Sequence, residues 1–424
     1  MKKVELLSPA GNLEKLKIAF AYGADAVYGG VSHFSLRIRS GKEFTFETFK
    51  EGIDYAHSIG KKVYVTINGF PFNSQIELLK KHISNVAALN PDALIVATPG
   101  VVQLCHELAP NIPIHLSTQA NVMNYLDAKV YYDMGVRRII AAREISLRDV
   151  QEIKKMLPDL EIEIFVHGSM CFAYSGRCLV SAVQMGRVPN RGSCANDCRF
   201  EYTLYAGNEE HGTLFRLEEQ PEIGTYIFNA KDMNLASHVK EIINSGAVDS
   251  IKIEGRTKSV YYCAVTAYAY RMAIEDCYNN TFDEKKYQYE LNTTKNRGFT
   301  DAYLVHKPFE KNDTQNHDYA MSKGSYEVAG FVLEDENYFM CKYKIYPNDE
   351  VEIFAPLNSI INECDNDIGK IYKRDNKYYI SFKKIITKDE KELASVHSGN
   401  TNPIKLPKKL PYMTMLRVKT QEEK

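Results

Sequence analysis

A short turn pattern recurs along the first two thirds of the chain and limits the folds that it can form. In each copy a helical segment ends at Gly or Asn, two or three polar residues follow, and an apolar strand begins. The copies start at Tyr22-Gly23, Ile59-Gly60, Asn90-Pro91, Met134-Gly135 and Ser245-Gly246. Glycine closes a helix in the left-handed conformation at little cost, so the next strand can start at once. The recurrence predicts a series of β-α-β units.

Eight short apolar segments are predicted as strands, and most are separated by roughly 10–16 residues with helical periodicity. The strands are Val4–Leu7, Ala26–Tyr28, Val63–Thr66, Ala93–Val96, Ile114–Leu116, Arg138–Ala141, Glu161–Val166 and Ser250–Ile253. This alternation predicts an α/β fold, a (β/α)8 TIM-like barrel over residues 1–280, with an open doubly wound sheet as the alternative. A long insertion follows the seventh strand, where barrel enzymes carry their chemistry.

The last third of the chain has a different pattern. Residues 281–324 are polar and are predicted to be a linker. Residues 325–424 contain short strand-like segments, which predict a small β domain, barrel-like in form. Asp375 and Asn376 both tolerate the left-handed conformation, so they are predicted to form a hairpin turn.

Charge and cysteine usage limit the setting in which the chain works. The formal net charge is −1, so contact with nucleic acid would need a local basic face. No apolar run reaches the roughly 18–20 residues that a membrane span needs, and no signal-like stretch follows Lys2 and Lys3. Nine cysteines, an odd number, argue against a disulfide framework. We therefore expect a cytoplasmic protein whose clustered cysteines bind metal or take part in catalysis.

Four cysteines lie in one loop, residues 168–200, that is rich in Gly, Arg and Ser. Cys171, Cys178, Cys194 and Cys198 have the spacing C-x6-C-x15-C-x3-C. Thiolates are soft ligands that select zinc or iron–sulfur clusters. Structural zinc sites usually contain C-x2-C pairs, and neither these pairs nor a standard ferredoxin run is present. The spacing alone leaves a cluster, zinc and unligated thiols open.

Polar residues directly follow several predicted strands. They are Asn68, Gln119, Arg143, Glu144, His167, Glu254 and Arg256. The carboxyl ends of barrel strands surround the pocket of barrel enzymes, so these side chains are candidates for substrate binding. Loop caps and salt bridges are the alternative roles. His167 and Glu254 are the candidates for catalytic acid–base chemistry.

Arginines surround the four cysteines, with Asp197 as the one nearby acid. They are Arg177, Arg187, Arg191 and Arg199, and we take Arg177 and Arg191 as candidates for substrate binding. A guanidinium bonds a phosphate or carboxylate through two parallel hydrogen bonds, so this loop is predicted to bind an anion. A solvated basic loop is the alternative.

Motifs of known proteases are missing from the sequence. The segment His106-Glu107-Leu108-Ala109-Pro110 lacks the second histidine of a zinc protease helix, and no G-x-S-x-G elbow is present. Cys171 and His167 could form a nucleophilic dyad. However, a thiolate that ligates a cluster cannot also act as the nucleophile.

Several segments resemble the collagenase-like "peptidase" family, which is number thirty-two in the class of unknown catalytic type. They are residues 163–171 and 176–181 around the first two cysteines, Leu7–Asn12, Lys252–Arg256 and Asn296–Thr300. The resemblance covers nearly the whole chain. The chain length, the C-x3-C ending and the C-terminal β domain are most similar to the bacterial branch that hydroxylates tRNA.

The resemblance implies a cofactor, a substrate and partners. In the ubiquinone branch of the family a similar cysteine set binds a [4Fe-4S] cluster, which implies Cys171, Cys178, Cys194 and Cys198 as ligands and iron–sulfur assembly machinery as a partner. The implied reaction is prephenate-dependent formation of 5-hydroxyuridine at the tRNA wobble position. Prephenate is a dicarboxylate, which suits the arginines. A collagen-degrading peptidase and a scaffold with zinc remain the alternatives.

Two groups of residues are expected to contact the tRNA in this interpretation. Phe172, Tyr174 and Tyr202 are candidates for stacking on an unpaired base, with core packing as the alternative. A basic C-terminal segment is the candidate for phosphate contacts, with a solvated terminus as the alternative, and consists of Lys405, Lys408, Lys409, Arg417 and Lys419.

Overall fold

The computed structural model describes residues 3–31, 34–36, 44–208, 212–217, 229–306, 314–316 and 324–420. The chain divides into two compact units. The first comprises residues 1–288 and 296–323, and the second comprises residues 289–295 and 324–424. Each unit is described by itself below.

Eight parallel strands close into a barrel in the first unit. They are β1 Glu5–Pro9, β2 Ala26–Gly29, β3 Lys62–Ile67, β4 Ala93–Val96, β5 Ile114–Leu116, β6 Arg138–Ile140, β7 Glu161–Ser169 and β8 Ser250–Ile253. Each strand pairs with the next one in this series, and β8 pairs with both β7 and β1. The closure confirms the predicted (β/α)8 barrel and excludes the open doubly wound sheet.

Helices connect the barrel strands. They are α1 Leu13–Ala21, α2 Phe46–Ser58, α3 Ile76–Ala87, α4 Pro99–Leu108, α5 Tyr125–Asp133, α6 Leu147–Met156, α7 Val239–Asn244 and α8 Val260–Asn279. Asn12, Thr45 and Ser146 cap α1, α2 and α6, each accepting a hydrogen bond from a backbone N–H in the first turn. The turn pattern read from the sequence is confirmed, because Gly60 and Gly135 have φ values of +67° and +94° after helices.

The segment between β7 and β8 extends the barrel sheet. Asp232–Asn234 pairs antiparallel with the end of β7, and Phe299–Thr300 pairs with Asp232–Asn234. This pairing continues β7 to Ser169, three residues beyond the predicted end of the strand. The remaining elements are the helix Val180–Met185, the antiparallel strands Leu204–Asn208 and Thr213–Leu217, and the 3-10 turns Asn73–Gln75, Thr118–Ala120, Pro189–Arg191, Asp197–Arg199 and Ala236–His238.

Residues 281–324, which were expected to be a linker, contain the helix Glu284–Asn292 as well as the strand Phe299–Thr300. Asn316 also donates a hydrogen bond to the carbonyl of Arg297 at 2.7 Å. Polar composition suggested a linker, yet part of this range is tied into the barrel sheet by backbone pairing.

The second unit is an antiparallel β structure, as predicted. Its strands are Tyr326–Val332, Tyr338–Cys341, Glu350–Phe354, Cys364–Asp365, Gly369–Arg374, Lys377–Phe382, Ile385–Ile386, Glu392–Leu393, Ile404–Lys405 and Met415–Lys419. Eight of them form one sheet, and Ile385–Ile386 pairs with Glu392–Leu393. Asp375 and Asn376 have φ values of +49° and +62° between two paired strands, which confirms the predicted hairpin turn.

A buried ion cluster lies inside the second unit. Arg417 is 1% exposed and donates hydrogen bonds to the carboxylates of Glu290 and Glu352. Burial alone would raise the pKa of Glu352, but Arg417 and Lys377 outweigh it and hold that pKa below its ordinary value. The prediction that Arg417 binds RNA phosphates is therefore wrong, because its guanidinium is enclosed and already paired.

Among the helices in the described ranges, none is both long and apolar enough to cross a membrane.

Candidate functional site

A cavity of about 130 Å³ lies at the carboxyl ends of the barrel strands. Five of the polar residues predicted from strand ends line it, namely Asn68, Gln119, Arg143, Glu254 and Arg256. Cys171, Cys178 and Cys194 from the loop after β7 line the same cavity. The structure thus brings together two groups of candidates that are far apart in the sequence.

The cysteine loop begins at residue 170, where β7 ends, and runs to residue 200. Hydrogen bonds hold it over the barrel opening. Glu144, after β6, accepts hydrogen bonds from the Ser175 backbone N–H at 3.0 Å and from its hydroxyl at 3.1 Å. Asn190 donates to the carbonyl of Gly176 at 2.8 Å, and its own carbonyl accepts from the backbone N–H of Phe70. These contacts join the loop to the ends of β3 and β6.

Gly176 is required where the loop approaches the barrel most closely. Its φ is +76°, and a Cβ atom at this position would collide with the backbone carbonyl oxygen of Gln119. Only glycine meets both conditions without strain. The glycine between the first two cysteines therefore sets how near the cysteine loop lies to β5.

The four cysteines are free thiols of differing exposure. Cys171 is exposed, while Cys178, Cys194 and Cys198 are half-buried. Burial raises the pKa of the Cys178 and Cys198 thiols, and the neighbouring cysteines raise it further. The four sulfurs are therefore close enough to interact electrostatically. Within the described part of the chain, however, no three His, Cys, Asp or Glu side chains are placed to hold one metal ion.

Asp197 is a buried carboxyl group next to the last cysteine. It is 0% exposed, and neither carboxyl oxygen has a hydrogen-bond partner among the described residues. Its backbone carbonyl accepts a hydrogen bond from the Tyr202 hydroxyl at 2.8 Å, which fixes the turn that carries it. A buried charge without a partner is costly, so this carboxylate indicates a cation or a donor missing from the chain itself.

His167, a predicted acid–base residue, lies inside β7 and does not line the cavity. It is 2% exposed, and its ring packs against Tyr262, Tyr270 and Phe299. In the described residues its one side-chain hydrogen-bond partner is the Tyr270 hydroxyl, at 3.4 Å. Burial lowers the pKa of His167 to about 3, so the ring is neutral near pH 7. This position gives no support to a dyad with Cys171, and the catalytic role of His167 stays a prediction.

Glu254 and Arg256 follow β8 and point to the cavity. The backbone of Glu254 is held by the carbonyl of His167, at 2.8 Å, and by the hydroxyl of Tyr262, at 2.7 Å. Arg256 donates to the hydroxyls of Ser35 and Thr66 at 2.8 and 3.0 Å. The backbone of Glu254 and the guanidinium of Arg256 are therefore both held in place by contacts within the first unit.

The arginines of the cysteine loop lie outside the cavity. Arg191 stacks on Phe72 with 4.1 Å between the guanidinium and the ring centre, and it also donates to Gln75. Arg177 and Arg187 are exposed, and Arg199 donates to the carbonyl of Met170. None of these four described residues lines the cavity. Arg177 and Arg191 thus remain candidates only for a ligand that binds on the outer surface.

Sequence reasoning missed one charged group of the cavity, Lys252 in β8. It is 3% exposed and donates to Glu163 of β7 at 2.8 Å, while Arg138 of β6 donates to the same carboxylate at 3.1 Å. Burial lowers the pKa of Lys252, although Glu163 opposes this. A lysine in the middle of the apolar strand Ser250–Ile253 was the available signal, since a charge inside a barrel needs a buried partner.

Comparison with known proteins places the chain in a family. Residues 11–314 match the model of Peptidase family U32. The chain is 60% identical over 421 residues to "tRNA hydroxylation protein P" of Helicobacter pylori strain J99, covering 99% of this chain and 100% of that protein. It is 39% identical to the Escherichia coli K12 protein of the same name, covering 87% of this chain and 91% of that protein.

A relative with a different name is also similar. The chain is 30% identical to "Collagenase" of Porphyromonas gingivalis W83, with 71% of this chain and 73% of that protein covered. The matched residues include β2 to β8 of the barrel, the cysteine loop and the strand Phe299–Thr300. This chain therefore belongs to Peptidase family U32.

Proposed function

We propose that the chain is a tRNA-modifying enzyme that forms 5-hydroxyuridine at the anticodon wobble position, using a [4Fe-4S] cluster and prephenate. The observation that carries the proposal is the lining of one barrel cavity by three cysteines and by the polar residues of four strand ends. Similarity over nearly the whole chain to proteins named for tRNA hydroxylation supports the choice of tRNA as substrate.

Cys171, Cys178, Cys194 and Cys198 are the residues that would hold the cluster. A zinc ion binds thiolates at about 2.3 Å, which brings four sulfurs to roughly 3.8 Å from one another. A cluster instead binds each cysteine through a different iron and so accepts thiols that are further apart. Four thiols carried by one loop beside the cavity are a donor set that fits such a cluster. The cluster would supply one-electron chemistry next to the cavity.

The carboxyl group of Glu254 is assigned to proton transfer. It is the one Asp or Glu side chain among the described residues that line the cavity, and it is 8% exposed. A positioned carboxyl group inside a site with little water can give or accept a proton from a reacting group. Its backbone contacts to His167 and Tyr262 keep it in place.

The outer face of the cysteine loop is assigned to the RNA. Phe172 is 46% exposed, and Tyr174, which also lines the cavity, is 57% exposed; both rings can stack on an unpaired base. Arg177 and Arg187 are exposed beside them and can bind phosphates. The Tyr202 hydroxyl is bonded to the Asp197 carbonyl and to Gln184, so Tyr202 is assigned to supporting the loop.

Anaerobic purification tests the cofactor. The wild-type protein should be brown and contain about four irons and four sulfides per chain. Replacing any one of the four site cysteines by Ala should reduce both contents, whereas Cys277→Ala, outside the site, should retain them. A colourless wild-type protein that holds one zinc would overturn the cluster assignment.

Nucleoside analysis tests the substrate. Deletion of the gene should remove 5-hydroxyuridine-type nucleosides from bulk tRNA, and the wild-type gene should restore them. The Glu254→Gln gene should fail to restore them while its product still binds iron. Unchanged nucleosides in the deletion strain would refute the tRNA assignment, and cleavage of collagen by iron-free protein would support the peptidase alternative instead.

A further inference from the structure

Lys252 brings a positive charge to the inner end of the cavity. Its side chain lies inside the barrel between Tyr28 and Phe165, with the ammonium 4.1 Å and 5.6 Å from the two ring centres. Lys252 and Glu254 are two residues apart on β8 and on the segment that directly follows it, so they share a face about 7 Å apart along the strand direction. Lys252 therefore lies one side-chain layer deeper than Glu254.

Glu163 orients the ammonium of Lys252 but accepts a hydrogen bond from only one of its N–H groups. The carboxylate of Glu163 is 0% exposed and accepts one hydrogen bond from Lys252 at 2.8 Å. An ammonium has three N–H donors, and within the described residues this is the one hydrogen bond that Lys252 makes. The remaining donors face two aromatic rings and the cavity. A buried cation in this position is stabilised by an acceptor that enters the cavity.

The other charges around the cavity are also mostly positive. Arg143, whose guanidinium lies 4.2 Å from the ring centre of Phe165, and Arg256 both line it. Glu254 is the one acid that faces these three cations among the described lining residues. Glu163 lies outside the lining and offsets the charge of Lys252, so the three cations exceed the nearby carboxylates by one, which favours a small organic anion in this cavity. Arginines bind carboxylates through paired hydrogen bonds, while a lysine provides a compact point charge.

We propose that Lys252 is a specificity-determining residue, which binds one carboxylate of the small co-substrate at the inner end of the cavity while Arg143 and Arg256 bind the rest of the anion. The inference rests on the proposed function, because it names the residue that selects the co-substrate of the same site. Glu163 acts through Lys252 and is a positioning residue. The preferred ligand carries a carboxylate on a body small enough to pass the cysteine loop.

Isothermal titration of prephenate into the anaerobically purified full-length protein tests the proposal. Lys252→Met should weaken prephenate binding about 10–100-fold, the range for losing a charged hydrogen bond. Lys154→Met is the matched control, because Lys154 also pairs with a carboxylate, that of Asp249 at 2.9 Å, but lies outside the cavity. The control should bind prephenate within twofold of the wild type.

A second variant separates binding from folding. Lys252→Arg keeps the charge beside Glu163 and should weaken prephenate binding less than Lys252→Met does. Circular dichroism of both variants should show the spectrum of a folded barrel. The proposal is overturned if the folded variants bind prephenate as tightly as the wild type, or if the wild type does not bind it. The two assignments can fail separately. If prephenate binding depends on Lys252 but deletion of the gene leaves the tRNA nucleosides unchanged, only the tRNA assignment is refuted.

Discussion

Replacing Glu163 by Gln should destabilise the barrel strongly, because this carboxylate is shared by two buried cations. Glu163 is 0% exposed and accepts hydrogen bonds from Lys252 at 2.8 Å and from Arg138 at 3.1 Å. The amide is similar in size but carries no charge, so the substitution leaves the packing nearly unchanged and removes the counter-charge. Breaking a buried ion pair in this way costs about 3–5 kcal/mol.

The size of the effect can be checked against a neighbouring carboxylate. Glu161 binds the same Arg138 at 2.8 Å, but its side chain is 30% exposed. Water screens a pair with an exposed partner, so Glu161→Gln should cost about 1 kcal/mol or less. At about 2 °C per kcal/mol for a domain of this size, the expected falls in Tm are about 6–10 °C and about 2 °C or less.

Thermal unfolding followed by circular dichroism measures the difference between the two variants. Both proteins should keep the wild-type spectrum at 20 °C, which establishes that the barrel still forms. Equal changes in Tm for the two variants would refute the reasoning, since it assigns the difference to burial and not to the presence of an ion pair. A higher Tm for Glu163→Gln would show that desolvation of this carboxylate outweighs its attraction to the cations.

Further predictions concern the second unit and the cysteine loop. Arg417→Met should destabilise the second unit by about 3–5 kcal/mol in denaturant titration. Because the folded pKa of Glu352 is held below 4.5, the wild-type cluster should stabilise this unit above about pH 4.5 and lose that effect as pH falls, with a flatter acid profile in Arg417→Met. Gly176→Ala should reduce the iron content while the barrel stays folded, whereas Gly186→Ala, at a position that shares the positive φ but leaves room for a Cβ atom, should keep it. Asp197→Asn should raise the Tm of the iron-free protein in thermal unfolding, because it removes an unpaired buried charge.

Local sequence signals were sufficient for the architecture. A glycine after a helix acts within two or three residues, so the turn at Gly60 could be read without knowing what packs beside it. The turn at Asp375 and Asn376 is local in the same way. Polar residues after apolar strands, such as Asn68 and Arg256, line the cavity, because parallel strands of a closed barrel must end on the same side.

Such local signals could not predict which residues pair when they are far apart in the sequence. His167 was expected beyond the end of a strand, but Asp232–Asn234 pairs with β7 and encloses it. Arg417 and Lys408 are only nine residues apart in a basic segment, yet Arg417 is buried between two carboxylates. Both are basic residues of the same segment, and only the packing of distant elements distinguishes the paired cation from the exposed one.

The sequence by itself determined the barrel, the β unit and the grouping of four cysteines in one loop, because each depends on periodicity or on spacing along the chain. The tertiary structure decided which charges share the cavity with those cysteines. Lys252, Glu163 and Arg138 meet because β6, β7 and β8 are neighbours in a closed sheet and all three side chains point inward. Inward and outward positions alternate along a strand, and only closure of the barrel determines which set is enclosed.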